Sequence, residues 1–370
     1  MEIPFFNYKD YCNDINYKKL LEEVLETGYL IGGPFVDSVE KKIEKITGIK
    51  HCICVGNATD AMEIIFSFLK LPISTKVLIP AHTMLATASA AKSLGLIPIP
   101  MEVNNNSLMT EIEELKKCNF DNVSACMITQ LNGVVADMDP IKNFCDNKNI
   151  YLIEDSAQGI GAFNKGKHAG SWGVGGCISF YPAKVVGSLG DGGAIITNND
   201  DLNDFARSVR DHGRGKELEA INWGRNSRLD SINARVILHR LHILDELINK
   251  RRTLAYIYNQ KLKPLEEKNL IKLPSKFSTN SKSISTYQNY EIIVEKREML
   301  MKYLKENNIG TIKQWGGFSI AHFSKLGFRI DNFPITKELF NKLLLLPLNH
   351  LMKIEEAEFV ADKVLEFFGF

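Results

Sequence analysis

Ile150-Tyr151-Leu152-Ile153-Glu154-Asp155-Ser156-Ala157-Gln158 is the stretch that decides the fold. It opens on an apolar run without the alternation of a strand that has one wet face, and closes on two carboxylates and small residues. A continuous apolar strand is one covered on both sides, as in a parallel sheet whose crossovers are helices. Ligands of such sheets bind beyond the carboxyl ends of the strands, which is where Asp155 and Gln158 fall.

The pattern repeats outward in both directions. His51–Val55, Val77–Pro80, Ile97–Ile99, Ala125–Ile128, Cys177–Phe180 and Ala194–Thr197 read as further strands. Apolar spacing predicts helices over 14–26, 37–47, Thr59–Leu69, Thr83–Leu94 and from near Pro140, with Gly28, Gly32, Gly33 and Pro34 as punctuation. From Asn233 a long helical stretch runs to Leu262 and leads to a smaller α+β unit. That unit holds a strand at Tyr290–Val294, a helix at Arg297–Glu306 and a closing helix at Glu355–Phe368, while the polar stretch Ser275–Ser285 reads as a solvated loop. The expected division is a large domain, 1–240 with the N-terminal segment included, and a small domain, 241–370.

At 370 residues the chain exceeds the roughly 250–300 residues at which one core stops growing, in keeping with two domains. Its 45% hydrophobic and 24% charged residues are ordinary for a soluble globular protein. A net charge of +1 with mixed signs points away from nucleic acid and anionic membranes. No apolar run reaches the ~18 residues of a membrane span, and Met1-Glu2-Ile3-Pro4 lacks the layout of a signal peptide. Of the seven cysteines, Cys52 and Cys54 share a strand face but have no second pair to complete a zinc site. Free thiols in a reducing cytoplasm are expected, and no metal.

Three local patterns carry chemistry. Lys184, in Ser179-Phe180-Tyr181-Pro182-Ala183-Lys184, sits just past an apolar strand with Gly187 and Gly190-Asp191-Gly192-Gly193 beyond it. That placement suits an amine that must lose its proton and meet a flat cofactor, and equally an ordinary strand-end lysine that keeps its head in water. Asp155 ends a buried strand, where a carboxylate needs a cation; a helix cap, a salt bridge and a protonated pyridine nitrogen all qualify. Gly56-Asn57-Ala58-Thr59-Asp60 lies between strand and helix, the geometry of a phosphate site and also of a plain N-cap at Thr59.

The ordered series Thr59-Asp60, Pro80-Ala81-His82-Thr83, Glu154-Asp155-Ser156-Ala157-Gln158, Gly170-Ser171-Trp172-Gly173, Ser179-Phe180 to Lys184, Gly190-Asp191-Gly192-Gly193 and Asn226-Ser227-Arg228-Leu229-Asp230 resembles the DegT/DnrJ/EryC1/StrS family of sugar aminotransferases. The match runs from about Gly28 to Leu241, with a fainter echo to the C-terminus. The resemblance implies the α/β type I aminotransferase fold with a mostly parallel seven-stranded sheet. It also implies pyridoxal 5'-phosphate as cofactor, cycling through pyridoxamine 5'-phosphate. Lys184 would hold the cofactor as a Schiff base and shuttle the proton, and Asp155 would pair with the pyridine nitrogen. Gln158 would reach the ring's 3-oxygen, while Ser179, Ala58 and Thr59 would hold the phosphate. Asn226 would reach the phosphate of a neighbouring subunit, so a homodimer with shared active sites is implied. His212 would lie near the substrate, unless it is simply structural.

Two departures stand out. Where the family commonly places an aromatic residue over the pyridine ring, this chain has Met84, either a thioether cover for the ring or core packing. The histidine-aromatic-proline pattern expected after Ile309-Gly310-Thr311 is replaced by Ile312-Lys313-Gln314-Trp315-Gly316-Gly317. Lys313 and Trp315 are therefore candidate substrate contacts, Trp315 alternatively filling the seam between domains.

The activity expected is transfer of an amino group from an amino acid, glutamate foremost, to a nucleotide-linked keto-deoxysugar, on the way to surface glycans such as O-antigen. A small phosphorylated ketone is the alternative acceptor. A sugar dehydratase of the same family is disfavoured, because the resemblance places histidine at the lysine position in that branch. A non-catalytic cofactor-sensing regulator lacks support, since no long basic extension precedes Gly28.

Overall fold

A computed structural model describes residues 2–274 and 282–370 of the chain. The strands are β1 (His51–Val55), β2 (Lys76–Pro80), β3 (Ile97–Met101), β4 (Val123–Thr129), β5 (Tyr151–Asp155), the short hairpin β6 (Phe163–Asn164) and β7 (Lys167–His168), β8 (Gly176–Ser179), β9 (Gly193–Thr197), β10 (Ile271–Lys272), β11 (Tyr290–Val294) and β12 (Leu343–Leu346). Seven of them form one sheet in the order β1-β9-β8-β5-β4-β2-β3. Only β9 runs against its neighbours, so the carboxyl ends of the others share one edge.

Both sheet faces are dry. Ile53, Val55, Val77, Ile79, Met127 and Ile153 join a core with the helix Ala58–Phe68, whose Ile64, Ile65 and Phe66 are fully buried. The alternate residues Cys52, Cys54, Ile178 and Ile196 pack the other way, against Val39 and Ile43 of the helix Pro34–Thr47. Leu78, Cys126, Ile128 and Leu152 extend that second layer. Burial on both sides is why these strands read as unbroken apolar runs.

The second unit is a three-stranded antiparallel sheet, β10-β11-β12, under the helices Arg297–Glu306 and Ile354–Phe367. The helix expected over Asn233–Leu262 is two, Ser231–His242 and Leu244–Glu267, parted at Ile243 (φ −108°, ψ 19°). After the break, Leu244, Leu247 and Ile248 still pack in the large-domain core, while Leu254, Tyr258 and Leu262 pack in the small one. Arg251 lies at the crossover. Of the N-terminal segment, expected with the large domain, the first residues reach the small one, where Ile3 is buried in the core and pairs with Ile309, while Tyr11 donates to Ser188 O and the helix Tyr17–Thr27 packs on Ser231–His242. An apolar residue near a chain end gains more from the nearest open core than from water.

The helices Asp200–Val209 and Pro334–Lys342 and strand β12 went unforeseen. Residues 275–281 of the stretch read as a solvated loop lie outside the described residues.

Candidate active site

At the carboxyl edge of the sheet a cavity of about 410 Å3 opens between the two units. Each strand end that reaches it delivers a different group. After β1 the chain turns through Gly56 and Asn57 into the helix Ala58–Phe68, and the Asn57 side chain caps that helix by accepting from Asp60 N at 2.8 Å. The N–H groups of Ala58 and Thr59 have no carbonyl a turn earlier to bond within the helix, and both residues line the cavity. The turn fits against β9 because Gly193 has no side chain: a Cβ there would come within 2.4 Å of Asn57 carbonyl carbon. On its far side Ser227 fixes the turn, with Oγ accepting from Gly56 N (3.0 Å) and donating to Asp60 (2.6 Å).

Asp155 ends β5, buried to 4% exposure, and faces the same cavity. Its Oδ2 accepts from Thr87 Oγ1 at 2.7 Å, and its Oδ1 from Ala157 N at 3.2 Å and from the Cys177 thiol at 3.4 Å. Behind Thr87 the hydroxyls of Thr83 and Thr129 continue the chain at 2.7 and 2.9 Å. The neighbouring Glu154 points the other way. Fully buried, it accepts from Gly170 N, Trp172 N, Gly173 N and the Gln130 amide at 2.6–3.1 Å. Burial raises its carboxyl above the usual range, against these bonds. The Gly170–Gly173 turn is thus tied to the strand that carries Asp155.

Lys184 follows β8 on a short turn closed by its own N–H to Tyr181 O at 2.8 Å. Enclosure by the cavity walls lowers the amine to about 8, while Asp155 and Cys177 pull it back up. A lysine so placed is neutral far more of the time than one in water, as a nucleophilic amine requires. Ser179, Gln158 and Met84 line the same wall. Gln158 Oε1 accepts from Asn132 N at 2.7 Å, which leaves its amide nitrogen as the end free to donate. Met84 is half exposed, at the N-cap of the helix Leu85–Lys92, and does not serve as core packing.

Among the other expected positions, Trp315 lines the cavity and packs edge-on to the His82 ring at 5.5 Å, so it serves the seam and the pocket together. Three do not line it. Asn226 is exposed on the 211–226 loop, and His212 is exposed there with φ 62°. Lys313 is held by Glu298 at 2.7 Å, outside the cavity wall.

Several cavity residues carried no sequence signal. Phe5, Phe6, Arg251, Gln288, Asn289 and Gln314 come from the N-terminal segment and the small domain. The buried Arg251 guanidinium donates to the carbonyls of Tyr287, Gln288 and Leu348 at 3.1–3.3 Å, and burial pushes it down to about 10. Asn132, at φ 53°, donates to Glu291 and accepts from Asn289 at 2.7 Å, joining the loop after β4 to β11. Among the described residues no cluster of ligands fit for a metal occurs, and no helix is long and apolar enough to cross a membrane.

Residues 12–365 match the DegT/DnrJ/EryC1/StrS aminotransferase family. The dTDP-3-amino-3,6-dideoxy-alpha-D-galactopyranose transaminase of Aneurinibacillus thermoaerophilus is 31% identical over 98% of this chain and 98% of its own. The erythromycin biosynthesis sensory transduction protein EryC1 of Saccharopolyspora erythraea is 28% identical over 97% of this chain and 98% of its own. Among solved structures, NtdA from Bacillus subtilis with bound cofactor PMP is 26% identical, with a TM-score of 0.88 over 99% of this chain and 85% of that one.

Proposed function

The chain belongs to the DegT/DnrJ/EryC1/StrS aminotransferase family, and from that premise we propose that it moves an amino group from an amino acid, glutamate foremost, to a nucleotide-linked keto-deoxysugar. It is a pyridoxal phosphate-dependent aminotransferase on the type I fold. The observation that carries the reading is Lys184, its amine lowered to about 8, on one cavity wall with Asp155.

The residues fit the cofactor. The open N–H groups of Ala58 and Thr59 at a helix N-terminus, with Ser179 beside them on the wall, suit a phosphate. Asp155, already carrying a hydrogen bond from Thr87, suits a protonated ring nitrogen. The free amide nitrogen of Gln158 suits the ring oxygen, and Met84 a ring face. When bound, the cofactor supplies an electron sink that eases loss of a proton from the substrate carbon. Lys184 would then be the base that takes this proton and returns it two atoms along, past the nitrogen, and Asp155 would keep the sink effective by holding the ring nitrogen charged. Phe5, Phe6, Ile312 and Trp315 give the cavity apolar walls.

A sugar acceptor is supported by the transaminase named for an amino-dideoxygalactopyranose. The keto-phosphate alternative is weakened by Lys313, whose charge is engaged by Glu298 away from the cavity. The homodimer is supported by the 211–226 loop, which exposes Leu218, Ile221 and Trp223 together with Asn226. A second copy would cover these residues and present Asn226 to the phosphate of its neighbour. All seven cysteines are free, in keeping with a cytoplasmic enzyme. A surface glycan is the proposed destination of the product on family grounds alone. The test is to convert the enzyme to its pyridoxamine form and offer nucleotide-linked keto-sugars and small keto-phosphates separately. Return of the aldehyde absorbance with a keto-sugar supports the reading, and return with keto-phosphates alone refutes it.

A further inference from the structure

Lys184 is held in place by the other domain. Gln288 precedes β11, buried to 6% exposure. Its Oε1 accepts from Val185 N at 2.9 Å and its Nε2 donates to Ala183 O at 2.9 Å. One amide therefore grips the backbone on both sides of the lysine. Among the described residues no other side chain hydrogen-bonds the backbone of residues 182–187. The main chain of Gln288 is fixed in turn: its N–H donates to Asn132 O at 3.0 Å, and its carbonyl accepts from Arg251 at 3.2 Å. Asn132 is also the residue whose N–H holds Gln158. The loops carrying Lys184 and Gln158 thus meet at one small-domain residue.

We propose that Gln288 is a positioning residue for Lys184: by holding both flanking peptide groups it sets where the amine meets the cofactor carbonyl, and it ties that placement to the seating of the small domain. The inference rests on the proposed role of Lys184. A side chain on a short turn has no strand register of its own, and displacement of a reacting group by about 1 Å can cost on the order of 100-fold in rate. The two bonds to Gln288 supply the constraint that the sheet, ending at Ser179, does not.

The experiment measures attachment of pyridoxal phosphate to the apoprotein by stopped-flow absorbance, with borohydride trapping and peptide mapping to locate it. Gln288→Leu removes both bonds at similar volume. It is expected to slow attachment by ~10-fold or more, and to lower kcat by a similar factor with KM for the amino donor changing less than about 3-fold. Gln288→Glu, if ionised, still accepts from Val185 N but opposes Ala183 O; once protonated it regains the donor. Arg251, bonded to the Gln288 carbonyl, and Lys184, on the turn that the side chain holds, both favour the ionised form. The ratio of the Gln288→Glu attachment rate to the wild-type rate should therefore rise as pH falls, a trend that a merely structural role would not produce. If Gln288→Leu fails to fold, this ratio decides alone. Wild-type rates and a flat ratio overturn the inference while leaving Lys184 in its role. Failure of the wild-type protein to attach cofactor at Lys184 overturns the proposed function, and this inference with it.

Discussion

Thr87 Oγ1 donates a 2.7 Å hydrogen bond to Asp155 Oδ2, so one carboxylate oxygen is already held before any ligand arrives. A carboxylate fixed this way stays aimed, which the ring nitrogen of a pyridine cofactor needs in a partner. Thr87→Val keeps the shape and deletes the donor. The expected outcome is a loss of roughly 1–2 kcal/mol of cofactor binding, about 5- to 30-fold in Kd, measured by fluorescence titration of the apoprotein. Unchanged affinity would mean that the bond serves the core rather than the site.

The Lys184 amine gives a pH signature. Its folded value, about 8, lies below the ordinary lysine value of 10.5, so between those limits the unfolded chain binds more protons and stability of the apoprotein rises with pH. Below about 8 the penalty for an enclosed charge is fully present. Lys184→Met removes it, and at pH 7 the apo variant should melt higher than the wild-type apoprotein, by at most on the order of 3 kcal/mol. The gap should narrow as pH rises through that window. Thermal melts of the two apoproteins at a series of pH values provide the check; a variant less stable at pH 7 would show that the amine is not desolvated.

Much of this was legible in the sequence because each large-domain group sits at or past the end of an apolar run: Asp155 as the last residue of β5, Lys184 after β8, Thr59 after β1. Strand ends are visible as changes of composition, and the sheet brings its parallel carboxyl ends to one edge. Gln288, Arg251 and Gln314 gave no such signal. They enter the cavity only because the helix from Leu244 crosses from one core to the other and brings the small-domain sheet over the site, a packing relation with no local pattern. Phe5 and Phe6 were missed for the same reason, since Ile3 anchors them to a core built some 300 residues later. Lys313 lies off the cavity because it pairs with Glu298 in the first turn of Arg297–Glu306, a contact its spacing gave no sign of. The four-leucine β12 was unreadable because an apolar run of that length fits helix and strand equally.

Glu291 titrates in the opposite sense to Lys184. Desolvation raises its carboxyl to about 7 from 4.5, against the hydrogen bond from Asn132 and the charge of Lys272. A folded value above the unfolded one means that its contribution is full below pH 4.5 and is lost as pH rises through 7. Glu291→Gln stays neutral and still accepts from Asn132. Relative to wild type it should match at pH 4 and be more stable at pH 8, by on the order of 1–3 kcal/mol in chemical denaturation. Parallel pH profiles for the two proteins would contradict this.

The shared-site proposal makes a complementation prediction. Lys184→Ala and Asn226→Ala homodimers should each be weakly active or inactive. Mixed after partial dissociation, they form heterodimers in which one site has both residues intact. Activity should reappear in the mixture, with up to one working site per heterodimer, by a coupled assay for the keto acid released from the donor. No recovery from a mixture shown to exchange subunits would place Asn226 outside the neighbour's site.

The most direct measurement follows the cofactor absorbance through one cycle. Glutamate added to the holoprotein should discharge the absorbance as the keto acid forms, and a nucleotide-linked keto-deoxysugar should then restore it with one amino-sugar made per site. Lys184→Arg should show neither change. Discharge by glutamate with no restoration by any keto-sugar, or a full cycle in the Lys184→Arg variant, would contradict the account.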